Sequence, residues 1–314
     1  MKGLQTFFRL IRWPNLVFIA ITQVLFQYCI LLPLFQSRGA QPVFDEMALQ
    51  LLIAASVFIA AGGYIINDYF DINIDRINKP DKQVIGKTMS RRMAILWHSV
   101  TSLLGVSISF YLGWKMGIWW IGPANFLCTV LLFVYSSTFK KRFLTGNIII
   151  SVLTAWSVGI LGLVSFYEVF YHSSTYNNLN PPRIFRFTIL YASFAFIISV
   201  IREAIKDMED IEGDVRYGCT TLPIAAGLNA AKTYTIVWLV VLTGALLIVQ
   251  AYALQFAWWW AILYCTLLII VPLVRLFPQL VKAQSTQQFH RLSSQTKLIM
   301  LMGILSMIFF KIYL

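Results

Sequence analysis

Acid is what this chain has least of. Only 13 of its 314 residues are Asp or Glu, and charged residues of both signs make up 12%. A soluble domain carries about 25% charged residues, so a water-exposed globular surface is excluded for most of the chain. Cysteine is scarce too. Cys29, Cys128, Cys219 and Cys265 are scattered, with no CxxC and no zinc spacing, which excludes a disulfide scaffold and a structural zinc site. The three histidines, His98, His172 and His290, stand apart from one another and form no ligand pattern. The net charge of +12 comes without any recognisable basic reading module, so nucleic acid is not expected as a partner.

What is present is apolar sequence, at 59% of residues. Runs of membrane-spanning length recur at 15–34, 47–67, 93–113, 116–135, 147–167, 186–203, 232–252, 255–276 and 296–313. The expectation is an all-α integral membrane protein with nine transmembrane helices in a single domain over 1–314. The basic start followed by an apolar run resembles a signal peptide, but no small-x-small cleavage site follows, so it reads as the first helix. With the N-terminus inside, 20 of the 25 Lys and Arg fall in inside segments and five outside. The positive-inside rule therefore expects a cytoplasmic N-terminus in the cell membrane. The polar, turn-rich segment 168–185 then reads as an outside loop.

Ten of the 13 acids are concentrated in two stretches. One runs Asn67-Asp68-x-x-Asp71-x-x-x-Asp75, with Asp81 beyond. The other runs Glu203 to Asp214 and contains Asp207-x-x-Asp210-x-x-x-Asp214. The first follows the second predicted helix and the second follows the sixth, both on the cytoplasmic side. The same device at the same place suggests two four-helix halves plus a ninth helix, with a site at the interface of a repeat. Steps of three and four residues put three carboxylates on one helical stripe. The first stripe should stop before Pro80. Crowded carboxylates repel unless compensated, and hard oxygen ligands favour Mg²⁺ or Ca²⁺. Since Mg²⁺ commonly combines one or two carboxylates with waters and substrate phosphates, the pattern points to a metal clamp on a polyphosphate. Arg76, Lys79, Lys82, Arg202, Lys206 and the run Lys140-Lys141-Arg142 lie close enough in sequence to bind diphosphate oxygens. Arg202 and Lys206 sit within the second motif itself.

The stretch from Asn67 to Asp75 resembles the first aspartate-rich motif of the UbiA superfamily of membrane prenyltransferases, and Asp207 to Asp214 resembles the second. The resemblance spans nearly the whole chain. It implies a helical bundle around a central cavity that opens laterally to the bilayer. It also implies Mg²⁺ as cofactor, and a polyprenyl diphosphate and a lipophilic acceptor as substrates. No obligate protein partner is inferred. Asn67, Asp71, Asp75, Asp207 and Asp214 match family positions at the metal–diphosphate site, with Asp68 and Asp210 as helpers. The four aspartates Asp71, Asp75, Asp207 and Asp214 are the expected catalytic set. Asn15, in Arg12-Trp-Pro-Asn15, resembles a first-helix Asn near the pocket. Tyr135 and Lys140 resemble a Tyr–Lys pair at the end of the fourth helix, at a spacing one residue longer than in the quinone-type members.

The implied chemistry is cleavage of an allylic C–O bond to a delocalised carbocation, in an apolar pocket that excludes water, followed by attack of the acceptor. The stretches Arg202–Pro223 and Asn67–Pro80 resemble the branch that makes archaeal-type ether lipids, the geranylgeranylglyceryl-phosphate geranylgeranyltransferases. That branch continues into a Pro-x-Ser-Gly-like segment where this chain reads Asp81 to Ser90. Prenylation of an aromatic quinone precursor is the alternative. A transporter is the non-enzyme alternative, although transporters place their charges near the midplane.

Overall fold

The computed structural model describes residues 2–78, 83–172, 176 and 179–313. Among these the fold is helical, with one isolated β-bridge between Ile85 and Met89. The helices are α1 (Lys2–Leu10), α2 (Trp13–Gln36), α3 (Glu46–Phe70), α4 (Ile72–Asn78), α5 (Arg91–Met116), α6 (Ile121–Ser137) and α7 (Thr145–Tyr171). They continue as α8 (Pro181–Glu209), α9 (Ile211–Arg216), α10 (Leu222–Ala225), α11 (Leu228–Leu254), α12 (Trp259–Lys282) and α13 (Thr286–Tyr313). Eight are long and apolar enough to cross a bilayer: α2, α3, α5, α7, α8, α11, α12 and α13. The fourth predicted span, α6, has only 17 residues. At 1.5 Å per residue it is about 25 Å long, short of the hydrocarbon thickness of roughly 30 Å. The expected nine spans are therefore eight by length and composition.

Helix starts follow side-chain chemistry. Asp45 accepts from the Ala48 amide at 2.6 Å to open α3, and Ser90 accepts from Met93 at 3.3 Å to open α5. A reciprocal Ser285–Gln288 capping box opens α13. This box starts α13 ten residues before the expected span, because Gln287, His290 and Arg291 are polar yet helical.

Two compact units emerge. The first comprises Met1–Val24, Val43–Ile149 and Glu212–Cys219. Its centre is α3, packed on α5 and α6. Small residues allow the close approach: a Cβ on Gly105 would come within 2.9 Å of the Ala55 carbonyl oxygen. A second cluster, including Leu10, Ile11, Leu16, Ala61, Ile65, Ile72 and Ile85, seats α1 and the turn around Ile85 against the C-terminal end of α3. Phe7 meets Trp97 there, with ring centroids 4.8 Å apart.

The second unit comprises Leu25–Pro42, Ile150–Ile211 and Thr220–Leu314, with α8 packed on α11 and α13. Two π-helical turns occur in it, Phe26–Leu31 and Thr266–Ile270. Each immediately precedes a proline near the start of the next helical turn, Pro33 and Pro272. A helical proline clashes with the carbonyl four residues back, here Cys29 and Leu268, and the widened turn accommodates it. Only 11% of the most apolar stretch of α11 is buried, and Val240, Leu247 and Ile248 are exposed. Such a surface is stable against lipid and not against water. This is an integral membrane protein.

Candidate active site

The first acidic motif occupies the end of α3 and all of α4. The expected unbroken stripe is interrupted. Asp71 caps α3 at φ −88°, ψ 0°, and α4 begins at Ile72. Helical hydrogen bonding nonetheless runs through the corner, from the Asp71 amide to Asn67 O at 3.0 Å and from the Asp75 amide to Asp71 O at 2.8 Å. The motif thus bends at its middle aspartate without losing register. The helix ends at Asn78; Lys79, Pro80, Asp81 and Lys82 lie outside the described residues.

Asp71 is 1% exposed. Its Oδ2 accepts from Asn67 Nδ2 at 2.9 Å and from Lys140 Nζ in a short ion pair. Its Oδ1 and the Oδ1 of Asn67 are buried and meet no hydrogen-bond partner among the described residues. Burial pulls the Lys140 ammonium down, but Asp71, Tyr135 and Asp75 together hold it well above its usual range. Lys140 comes from the tight connection between α6 and α7. A 3₁₀ turn at Phe139–Lys141 and a left-handed Leu144 (φ 54°) fold this segment back. Gly146 permits the fold: a Cβ there would lie 2.9 Å from Phe139 O and 3.2 Å from the Tyr135 ring. Tyr135 is buried. Of the expected Tyr–Lys pair, Lys140 meets Asp71, and Tyr135 lies close enough to act on the Lys140 charge.

Asp68 takes a different partner. Arg12 Nη2 donates to its Oδ1 at 2.6 Å, and the Arg12 guanidinium lies over the Tyr64 ring at 5.3 Å. The Asp68 charge raises the Arg12 pKa above its ordinary value, against burial. Arg12 stands in the left-handed region at φ 51°, between α1 and α2. Asn15 donates its amide to Arg12 O at 2.8 Å and opens α2. Arg76 is exposed.

The end of the second motif lies in the same unit. Asp214 is buried on α9. Its neighbour Gly213 donates its amide to Asn78 Oδ1 at 2.8 Å, and a Cβ on Gly213 would come within 2.6 Å of the Asn78 side chain. The buried thiol of Cys219 registers the surrounding charge. Burial, then Asp214 and Asp71, raise it to about 11 against the pull of Lys141 and Lys140. Sequence reasoning missed the roles of Arg12, Tyr64, Asn78, Gly213 and Cys219. Only Arg12, three residues before Asn15, carried a signal.

The second unit holds the rest of that motif. Asp210 caps α8 at φ −99°, ψ 8°, as Asp71 caps α3, and its amide donates to Lys206 O at 2.9 Å. Asp207 and Asp210 are half-buried. Arg202 and Lys206, expected at a diphosphate, both donate to the buried carboxylate of Glu203, at 3.1 Å and at 2.9–3.0 Å. Glu209 is buried and paired with His290 Nδ1 at 2.8 Å. The histidines that stand alone in sequence all have partners, since His98 contacts Gly62 O at 3.0 Å and His172 contacts Glu168 at 3.0 Å. An apolar cavity of about 430 Å³ lies between α7, α8 and α11, lined by Trp156, Leu163, Phe196, Ile197 and Trp238 among others.

Among the described residues no group of three or more His, Cys, Asp or Glu side chains forms a ready-made metal cage. The donor set at Asn67 and Asp71 still suits Mg²⁺. Both unpartnered oxygens are hard, and Mg²⁺ takes few protein ligands when phosphates and waters complete its shell.

The chain is similar to known proteins along most of its length. The UbiA prenyltransferase family matches residues 25–302. Digeranylgeranylglyceryl phosphate synthase of Methanosphaera stadtmanae is 30% identical over 259 residues, covering 82% of this chain and 85% of that one. A solved structure from work on digeranylgeranylglyceryl phosphate synthase in membranes covers 100% of both chains at TM-score 0.63 and 24% identity. The structure of a UbiA homolog from Archaeoglobus fulgidus bound to DMAPP and Mg²⁺ covers 96% of this chain and 99% of that one, at TM-score 0.54 and 16% identity. The last two share the fold. The family match spans most of the sequence and takes in both acidic motifs, and the chain belongs to the UbiA prenyltransferase family.

Proposed function

We propose that this enzyme transfers a geranylgeranyl group from its diphosphate to the free hydroxyl of geranylgeranylglyceryl phosphate, forming the second ether bond of an archaeal-type lipid. One observation carries the reaction class. A carboxylate buried at a helix corner, Asp71, is held by Asn67 and Lys140, and one oxygen of Asp71 and one of Asn67 meet no partner among the described residues. The similarity to digeranylgeranylglyceryl phosphate synthase over 82% of the chain supports the acceptor.

In this reading Asn67, Asp71 and Asp75 of the first motif, and Asp207, Asp210 and Asp214 of the second, are metal ligands, and Mg²⁺ would bind the diphosphate. Bound Mg²⁺ supplies neutralisation of the charge that develops on the leaving diphosphate. Lys140 pairs with Asp71 and holds it in one orientation, and Tyr135 packs the turn that carries it. The prenyl chain takes up apolar space where water cannot quench an allylic cation. The acceptor hydroxyl then attacks, forming the C–O bond and releasing its proton, while diphosphate leaves with the electrons of the broken bond. The fold acts as a single prenyltransferase domain with nine membrane segments, the short α6 included. Its N-terminus and both motifs face the cytoplasm.

The test is an acceptor screen. Purified protein in lipid, with Mg²⁺ and labelled geranylgeranyl diphosphate, is offered geranylgeranylglyceryl phosphate, 4-hydroxybenzoate or dihydroxynaphthoate separately. An EDTA-sensitive diether product is expected. Aromatic product alone would move the enzyme to quinone-type chemistry, and transfer unaffected by EDTA would remove the metal.

A further inference from the structure

Asp68 belongs by spacing to the carboxylate stripe, yet its environment differs from that of Asp71 in three ways. Its carboxylate is engaged at 2.6 Å by a guanidinium brought from 56 residues away. That guanidinium is stacked on Tyr64, one helical turn before Asp68 on α3, so Tyr64 and Asp68 grip Arg12 together. Finally, the gripped residue is a non-glycine held at φ 51°. The left-handed region is unfavourable for an ordinary L-residue, and it persists only where surrounding contacts over-determine it. The strained residue is the corner between α1 and α2, and its carbonyl accepts the Asn15 amide at 2.8 Å.

We propose that Asp68 is a positioning residue that works through Arg12, and that it is not a ligand of the cation. Together with Tyr64 it locks the α1–α2 corner, and with it Asn15, against the end of α3. This role presupposes the cation site at Asn67 and Asp71 proposed above. Loss of Asp68 then loosens substrate placement and leaves metal affinity intact. Arginine matters for its flat fork, which a lysine cannot reproduce at a site that is both stacked and hydrogen-bonded.

Two readouts separate the alternatives. The first is the Mg²⁺ midpoint for activity, with KM for each substrate. The second needs no turnover: the Mg²⁺-dependent rise in melting temperature of the full chain in the presence of inorganic pyrophosphate. Asp71→Asn is the reference, and both of its midpoints should move to higher Mg²⁺. Asp68→Asn should leave both midpoints where they are and raise a substrate KM by about tenfold, the low end for a residue that orients another. Arg12→Lys should behave as Asp68→Asn does. The exchange Arg12→Asp with Asp68→Arg should recover part of the lost affinity. A midpoint that moves in Asp68→Asn as far as in Asp71→Asn overturns the proposal, and so does an Asp68→Asn enzyme with unaltered KM. Unmoved midpoints in Asp71→Asn itself would instead remove the cation site, and the role of Asp68 with it.

Discussion

The two acidic motifs share spacing and backbone design, but they neutralise their buried charge differently. In the first, Asp68 and Asp71 are matched by Arg12 and Lys140, which lie 56 and 69 residues away. In the second, Glu203 is matched by Arg202 and Lys206, within one turn of the same helix, and Glu209 reaches a distant partner, His290, 81 residues away. The local triad forms as soon as α8 forms. The distant pairs of the first motif exist only when α1, α3 and the α6–α7 turn have come together. An ion pair made with a distant partner doubles as a check on the tertiary fold, whereas one made locally, as at Glu203, tolerates rearrangement elsewhere.

The largest effect should come from the carboxylates. Asp71→Asn, Asp75→Asn and Asp214→Asn should each lower turnover by about 10²-fold or more, the scale for losing one preorganised charge-stabilising group. Each should keep the elution profile of the folded protein in detergent. Normal product formation in all three would dissolve the site.

Lys140→Ala addresses the contrast directly. It leaves Asp71 buried without its cation and should cost about 3 kcal/mol, seen as a lower midpoint in thermal or denaturant unfolding. Lys206→Ala should cost about 1 kcal/mol, because Glu203 keeps Arg202. Equal losses would mean that distance along the chain carries no consequence. Gly213→Ala drives a methyl group into Asn78 and should cost about 2 kcal/mol. Asn78→Ala, which removes one hydrogen bond, should cost about 1 kcal/mol. In the double variant the two losses should not add, since they remove the same contact.

The smallest effect is a reactivity. The Cys219 thiol is pushed from 9.0 to about 11 by burial and by the carboxylates of both motifs. A raised pKa keeps it protonated at neutral pH, and only the thiolate reacts. In a protein retaining Cys219 alone, the alkylation rate should be low at pH 7 and still be climbing past pH 9. A plateau below pH 9 would contradict the anionic surroundings.

Much of this was legible without coordinates. Apolar runs located eight spans because the bilayer imposes a length, and the start of α6 was not legible because an apolar run does not reveal where its helix begins. The acids Asp71 and Asp214 stood out by residue type and spacing, and Lys140 stood out through the family resemblance. The pairs Arg12–Asp68, Asn78–Gly213 and Glu209–His290 were not. Their members lie 56, 135 and 81 residues apart, and no periodicity links residues that meet only through tertiary packing. The corner at Asp71 was also hidden, since the i,i+4 rule reads the same for a straight helix and for one that bends while keeping its hydrogen bonds.

Both motifs sit where a long helix stops, with Asp71 and Asp210 in the capping position at the C-terminal end. A helix carries about half a negative charge at that end, so peptide dipoles add to the carboxylates. In the proposed reading this sets an order of arrival: the cation enters with the diphosphate or before it.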